Sequence, residues 1–175
     1  YGKGYLPYAK AAYDTMTLEQ VVEDKCKYSG RDPKSFLSLD EVLKMDDISG
    51  ENGRFVRVIT AANGKKAFLR IYKDNHVYPY ESQISTALKT LLQEAPMVGL
   101  VTGHKERSGM DMGEKGYGTF ASNKTFRYSL ENSGYGVREI SLEHPVAEDI
   151  NIIVLAEMRS DFTEEEFRNF DAYLE

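Results

Sequence analysis

From Met97 to Leu174 the chain alternates short, unbroken apolar runs with stretches that carry helix signals. The apolar runs are Met97–Thr102, Val137–Leu142 and Ile150–Ala156. Between the first two, a helix is predicted over Phe120 to Asn132, closed by Gly134; a further helix begins at Thr163 and sets Phe167, Phe170 and Leu174 on one face. Strands that are apolar on both faces and separated by helices imply a parallel sheet covered on both sides. The expected fold class is therefore α/β, a partial three-layer parallel sheet. Two right-handed crossovers on opposite faces would place the first strand centrally, in the order 2-1-3.

Three helix starts share one device. Thr17 with Gln20, Ser38 with Glu41, and Thr163 with Glu166 each form a capping box, in which the two side chains satisfy backbone N–H groups that the helix leaves orphaned. Apolar pairs flank each one: Met16 with Val21, Leu37 with Val42, Phe162 with Phe167. Ser29, Gly30, Asp32 and Pro33 stop the first of these helices. From Phe55 to Tyr72 the period changes to two around Asn63-Gly64, which predicts a hairpin with a two-residue type I′ turn, both turn residues at positive φ. That register sets Val58 against Leu69, Val56 against Ile71 and Arg57 against Arg70, with Val56, Val58, Leu69 and Ile71 as the buried face. A turn-rich stretch with Asp74, Asn75 and Pro79 comes next, and then Ile84, Leu88, Leu91 and Leu92 recur at helical spacing until Pro96. The expected division is an N-terminal subdomain of helices and hairpin over 1–80 and a truncated flavodoxin-like α/β domain over 81–175.

Composition narrows the function classes. The net charge of −6 is unevenly held: residues 1–95 carry 14 basic against 13 acidic groups, and residues 96–175 carry 8 against 15. No basic stripe interleaved with aromatics is present, which argues against a nucleic-acid partner. Apolar stretches fall far short of the roughly 20 residues of a membrane helix. One cysteine, Cys26, excludes an internal disulfide and leaves the compartment open. The chain starts at Tyr1 without a signal-peptide pattern and stops inside a helix, so it is read as a piece of a longer protein. Tyr1, Tyr5, Tyr8 and Tyr13 form an aromatic segment, packed or partner-facing.

In an open parallel sheet, functional groups gather beyond the carboxyl ends of the strands. There the chain places Gly103-His104-Lys105-Glu106-Arg107-Ser108, running on through Gly109, Gly113, Gly116 and Gly118. Those glycines lack the spacing of a dinucleotide fingerprint or a P-loop. His104 and Glu106 have the chemistry of a general base with its orienting carboxylate, or of two metal ligands. The bland reading is that they fasten the long loop to its own backbone, and it outweighs both, because His76 and His144 show no ligand spacing and Cys26 is remote. Arg159, after the third strand, reads as an anion-binding group or as a salt-bridge partner of Glu106 or Glu157. The binding candidates are His104, Glu106, Arg107 and Arg159, with no catalytic residue, metal or cofactor expected. The charges of Glu106, Arg107, Glu157 and Arg159 are expected to pair and hold the loop. Asn123-Lys124-Thr125 is formally a glycosylation acceptor and carries no argument by itself.

Thr102-Gly103-His104-Lys105-Glu106 after an apolar strand, Leu130 through Gly134-Tyr135, and Ile152–Ala156 followed by Arg159 and a helix with Tyr173-Leu174 together carry a resemblance. Residues 97–175 resemble the auxiliary domain of the GldG type, found beside or fused to ABC-transporter permeases and named for bacterial gliding motility. The helix around Glu81–Leu92 is similar to that family as well. Lys105 stands where the family often has Gly, and Glu157-Met158 where Gly-Pro is common. The family continues with a Gly-Gly turn and further strands, so the resemblance implies a partial sheet. It also implies residence on the periplasmic face of the bacterial inner membrane, tethered by segments outside this chain. Its fold is similar to glutamine-amidotransferase-like domains, whose chemistry needs a nucleophilic Cys after a strand; Cys26 lies on a predicted helix instead.

The expected function is thus a non-catalytic extracytoplasmic accessory domain of an ABC-type export or gliding-motility system, in contact with a permease or other envelope proteins. The alternative is a degenerate hydrolase-like or small-ligand-binding α/β domain using His104, Glu106 and Arg159. A truncated sheet leaves the Ile150–Ala156 strand with an open edge, which favours self-association or coverage by the N-terminal segment.

Overall fold

All three capping boxes start helices. Thr17, Ser38 and Thr163 each accept a hydrogen bond from the N3 backbone N–H, and the N3 side chain returns to the cap. The computed structural model describes residues 15–52, 54, 56–72 and 78–175. The tyrosine segment at 1–13, His76 and the expected turn residues Asp74 and Asn75 lie outside the described residues.

Two compact units are present, Tyr1–Gly53 and Arg54–Glu175. The described part of the first holds α1 (Leu18–Ser29), a 3-10 turn at Pro33–Ser35, and α2 (Leu39–Met45). Gly30 ends α1 at φ 66°, its N–H donating to the Cys26 carbonyl, and Asp32 caps the turn that Pro33 opens.

The second unit begins with the hairpin, β1 (Val56–Thr60) and β2 (Lys66–Arg70). Its register differs from the expected one by a single residue: Val58 faces Phe68, Val56 faces Arg70, and Arg57 faces Leu69, not Arg70. The cause is the loop. Gly64 N–H donates to the Ala61 carbonyl and Ala61 N–H to the Lys65 carbonyl, which makes a three-residue loop, with Gly64 at φ 83° and Asn63 outside the positive-φ region. A turn followed by a left-handed glycine bulge replaces the two-residue type I′ turn. Because side chains alternate faces, the slip turns the other face of β1 inward while β2 keeps Leu69 inside. Ala67 and Leu69 are buried with Ile59 and Ala61 against them, whereas Val58 is exposed and Val56 and Ile71 are only half-buried.

That apolar face packs on α3 (Glu81–Leu92) through Ala87 and Leu91. The hairpin therefore packs with the residues C-terminal to it, within the unit Arg54–Glu175. Ile84, Leu88 and Leu92 of the same helix remain exposed.

Strands β3 (Met97–Val101), β4 (Gly136–Ile140) and β5 (Ile150–Val154) form the parallel sheet in the order β4-β3-β5, as the crossover argument expects. Val98, Leu100 and Val101 of central β3 are buried, while Asn151 and Ile152 of β5 are exposed. Val98, Leu100 and Ala121 form a core cluster with Leu130, Tyr135, Val137 and Val154 packed against it.

The helix expected over Phe120 to Asn132 is absent. In its place stand α4 (Gly118–Ala121), a series of turns and a 3-10 turn at Glu131–Ser133, which Gly134 closes at φ 90°. Asn123 explains the break: its Oδ1 accepts from both the N–H and the hydroxyl of Thr125, a local bond that competes with the helix ladder. Asn132 then holds the turns together. Its Nδ2 donates to the carbonyls of Asn123, Lys124 and Phe126 at 3.3, 3.2 and 2.7 Å, and its Oδ1 accepts from Arg70 of β2. The last helix, α5 (Glu164–Leu174), starts at the Thr163 cap.

Candidate functional site at the carboxyl end of β3

Thr102 extends the ladder one step past β3, its N–H donating to the Ile140 carbonyl at 2.9 Å. Gly103 then turns the chain at φ 123°, a conformation that side-chain-bearing residues rarely adopt. The turn buries His104, which is 6% exposed. Glu106 reaches back, and its Oε2 accepts the His104 backbone N–H at 2.6 Å. The other oxygen of Glu106 lies 3.3 Å from Nδ1 of the ring without the alignment of a hydrogen bond.

The opposite side of the imidazole meets α5. His104 Nε2 is 3.1 Å from Glu166 Oε1, and the Phe162 ring stands edge-on to the imidazole at 4.9 Å. Glu166 has a second partner, because its Oε2 accepts from the N–H and the hydroxyl of Thr163. The Thr163 N–H first, then its hydroxyl, with His104 adding to them, hold the Glu166 carboxyl below the usual carboxylate range; burial opposes them. Since the two carboxylates face opposite ring nitrogens, no single ion touches both through the ring. Among the described residues no group of three or more His, Cys, Asp or Glu is placed to hold a metal.

Arg159 arrives from the other side of the crevice. Its backbone N–H donates to the His104 carbonyl at 2.9 Å, so the segment after β5 and the loop after β3 meet at one end of the sheet. Glu157 pairs with both arginines, 2.7 Å from Arg107 Nε and 3.6 Å from Arg159. Of the two partners expected for Arg159, it is Glu157 that stands within ion-pair distance. Lys105 and Glu157 both take left-handed backbone, at φ 61° and 54°.

The glycine-rich remainder of the loop is pinned at both ends. Glu139 of β4 accepts from the Ser108 hydroxyl and the Gly109 N–H through one oxygen. Further on, Gly118 N–H donates to the Asp111 carbonyl at 2.9 Å; a side chain at Gly116 or Gly118 would overlap that carbonyl, and one at Gly109 would overlap Leu100. An open cleft of about 520 Å³ is left between this loop and Arg159.

The four candidates His104, Glu106, Arg107 and Arg159 are thus neighbours. As neighbours of His104, Glu166 and Phe162 are not legible in the sequence, although the capping box and its apolar pair single out both. The role of Glu166 in that box accounts for one carboxylate oxygen only, and the second was the signal available. The chain matches no family model, no curated protein and no solved structure.

Proposed function

We propose that the chain is a non-catalytic accessory domain of the GldG type, acting by protein contact on the periplasmic face of an ABC-type export or gliding-motility system. One observation carries the reading. The backbone is left-handed at Lys105 and Glu157, the positions where that family often has Gly and Gly-Pro. Left-handed backbone is the conformation glycine adopts at no steric cost, so this chain keeps the backbone that the family's glycines allow while carrying other side chains. Gly134 at φ 90°, within the Leu130 to Tyr135 motif, agrees with it.

The contact surface in this reading is the outer edge of β5. Among the described residues β5 pairs only with β3, and Ile152 and Leu155 are 41% and 40% exposed. An open edge of this kind offers unpaired N–H and C=O groups to a partner strand. The test is capture of the tagged full-length protein from membranes after photo-crosslinking from position 155. Enrichment of an ABC permease or its ATPase subunit, lost in Ile152→Lys, is the expected result. Recovery with no transporter component above the untagged control overturns the proposal.

A further inference from the structure

We propose that the cleft at the carboxyl end of β3 binds a phosphoryl group carried by a small soluble ligand, with Lys105 and Lys115 as its principal cations. Four cations from three separate stretches line it: Lys105 and Arg107 after β3, Lys115 in the glycine-rich loop, and Arg159 after β5. Only Glu106 and Asp111 oppose them on the wall. This concentration of positive charge lies in the half of the chain where acidic groups outnumber basic ones by 15 to 8.

The carboxylates nearby already have partners other than the two lysines. Glu106 takes the His104 N–H and its side chain is 2% exposed; Asp111 takes the Gly113 N–H; Glu157 joins the two arginines. Among the described residues, Lys105 and Lys115 have no carboxylate within ion-pair distance. Both are exposed on the cleft wall, where their charge attracts an anion.

Lys105 adds a second observation. It holds φ 61°, where a residue with a Cβ is strained and glycine is not. Strain of this kind persists only where the surrounding structure holds it, and it clusters at ligand sites. Lys105 lines the cleft.

Charge type selects the ligand. A planar carboxylate is matched by a single arginine fork, and both arginines already face Glu157. Two ammonium groups with rotating donors suit a compact tetrahedral group carrying about two negative charges. The volume lies within the roughly 300–1,000 Å³ of small-molecule sites.

The experiment titrates the intact chain with inorganic pyrophosphate, inorganic phosphate and citrate, followed by calorimetry and amide NMR shifts. Saturable pyrophosphate binding, at least tenfold tighter than citrate and at least tenfold weaker in the Lys105→Gln/Lys115→Gln double variant, is expected. Lys105→Gly separates a ligand role from a backbone role: it should raise the melting temperature and yet weaken pyrophosphate binding. No saturable binding, binding unchanged in the double variant, or citrate bound as tightly as pyrophosphate overturns the proposal. So does co-sedimentation with phosphatidylglycerol vesicles in the absence of soluble phosphate binding, which would assign the cations to a membrane surface.

Discussion

His104 Nε2 and Glu166 Oε1 lie 3.1 Å apart, joining the loop that leaves β3 to the first turn of α5. The same carboxylate caps α5 through Thr163, so loop position and helix start are coupled through one side chain.

A double-mutant cycle reads that coupling. Thr163→Ala removes a cap and should cost about 1 kcal/mol. His104→Ala empties a buried site and strips Glu106 of its neighbour, at about 2–3 kcal/mol. Because both act on Glu166, the pair should depart from additivity by roughly 0.5 kcal/mol or more in urea unfolding. Strict additivity would show that the two halves of the carboxylate act independently.

Acid should weaken the fold through the same group. Glu166 is held below the usual carboxylate range, so its folded form gives up the proton at lower pH than its unfolded form. Its contribution is complete above the unfolded pKa and disappears as pH falls through the folded one. Glu41 acts in the same direction, lowered first by the Ser38 hydroxyl. Melting temperatures taken from pH 7 down to pH 3 should drop once the pH passes below the ordinary carboxylate value of 4.5, and less steeply in Glu166→Gln. An unchanged slope in that variant would remove Glu166 from the account.

Gly64→Val tests the hairpin. Nothing lies within 4 Å of a Cβ built there, so any cost is conformational, from a β-branched residue forced to φ 83°. About 1–2 kcal/mol is expected by chemical denaturation. Asn63→Gly, at a position without positive φ, should bring no gain of stability; a clear gain would restore the two-residue turn.

Asn132→Ala should be the costliest polar change in the turns that precede β4. It removes the donor to three carbonyls and the acceptor for Arg70, leaving part-buried groups unpaired. About 2 kcal/mol is expected, with faster amide exchange over 123–130. Exchange unchanged in that stretch would mean that the turns hold themselves.

These residues also mark where the chain's sequence is explicit and where it is not. The capping boxes are local: each puts donor and acceptor three residues apart, and each starts a helix. The alternation after Met97 is equally plain, because buried parallel strands have to be apolar throughout. Asn63-Gly64 announces a turn but not its length. The three-residue loop decides the register there, and it brings Ile59 and Ala61, not Val56 and Val58, to the side where Ala67 and Leu69 meet Ala87 and Leu91. The stretch 120–132 has helical spacing, yet Asn123 accepts from the N–H and hydroxyl of Thr125 and Asn132 donates to three backbone carbonyls, bonds that no periodicity records. At the site, His104 and Glu106 stand out as a dyad two residues apart; Glu166 comes to them only through the fold.

The strand order has a consequence for synthesis. β3 is central in the sheet but first in sequence, and its two neighbours end at Ile140 and Val154. At a translation rate of about 5–20 residues per second, Met97–Val101 leaves the ribosome with both hydrogen-bonding edges bare for roughly 2–8 s until β4 is complete, and with one edge bare for roughly 3–10 s until β5 is. A five-residue apolar segment exposed for that long is a natural target for holdase chaperones, and slower codons between 102 and 150 would lengthen its exposure.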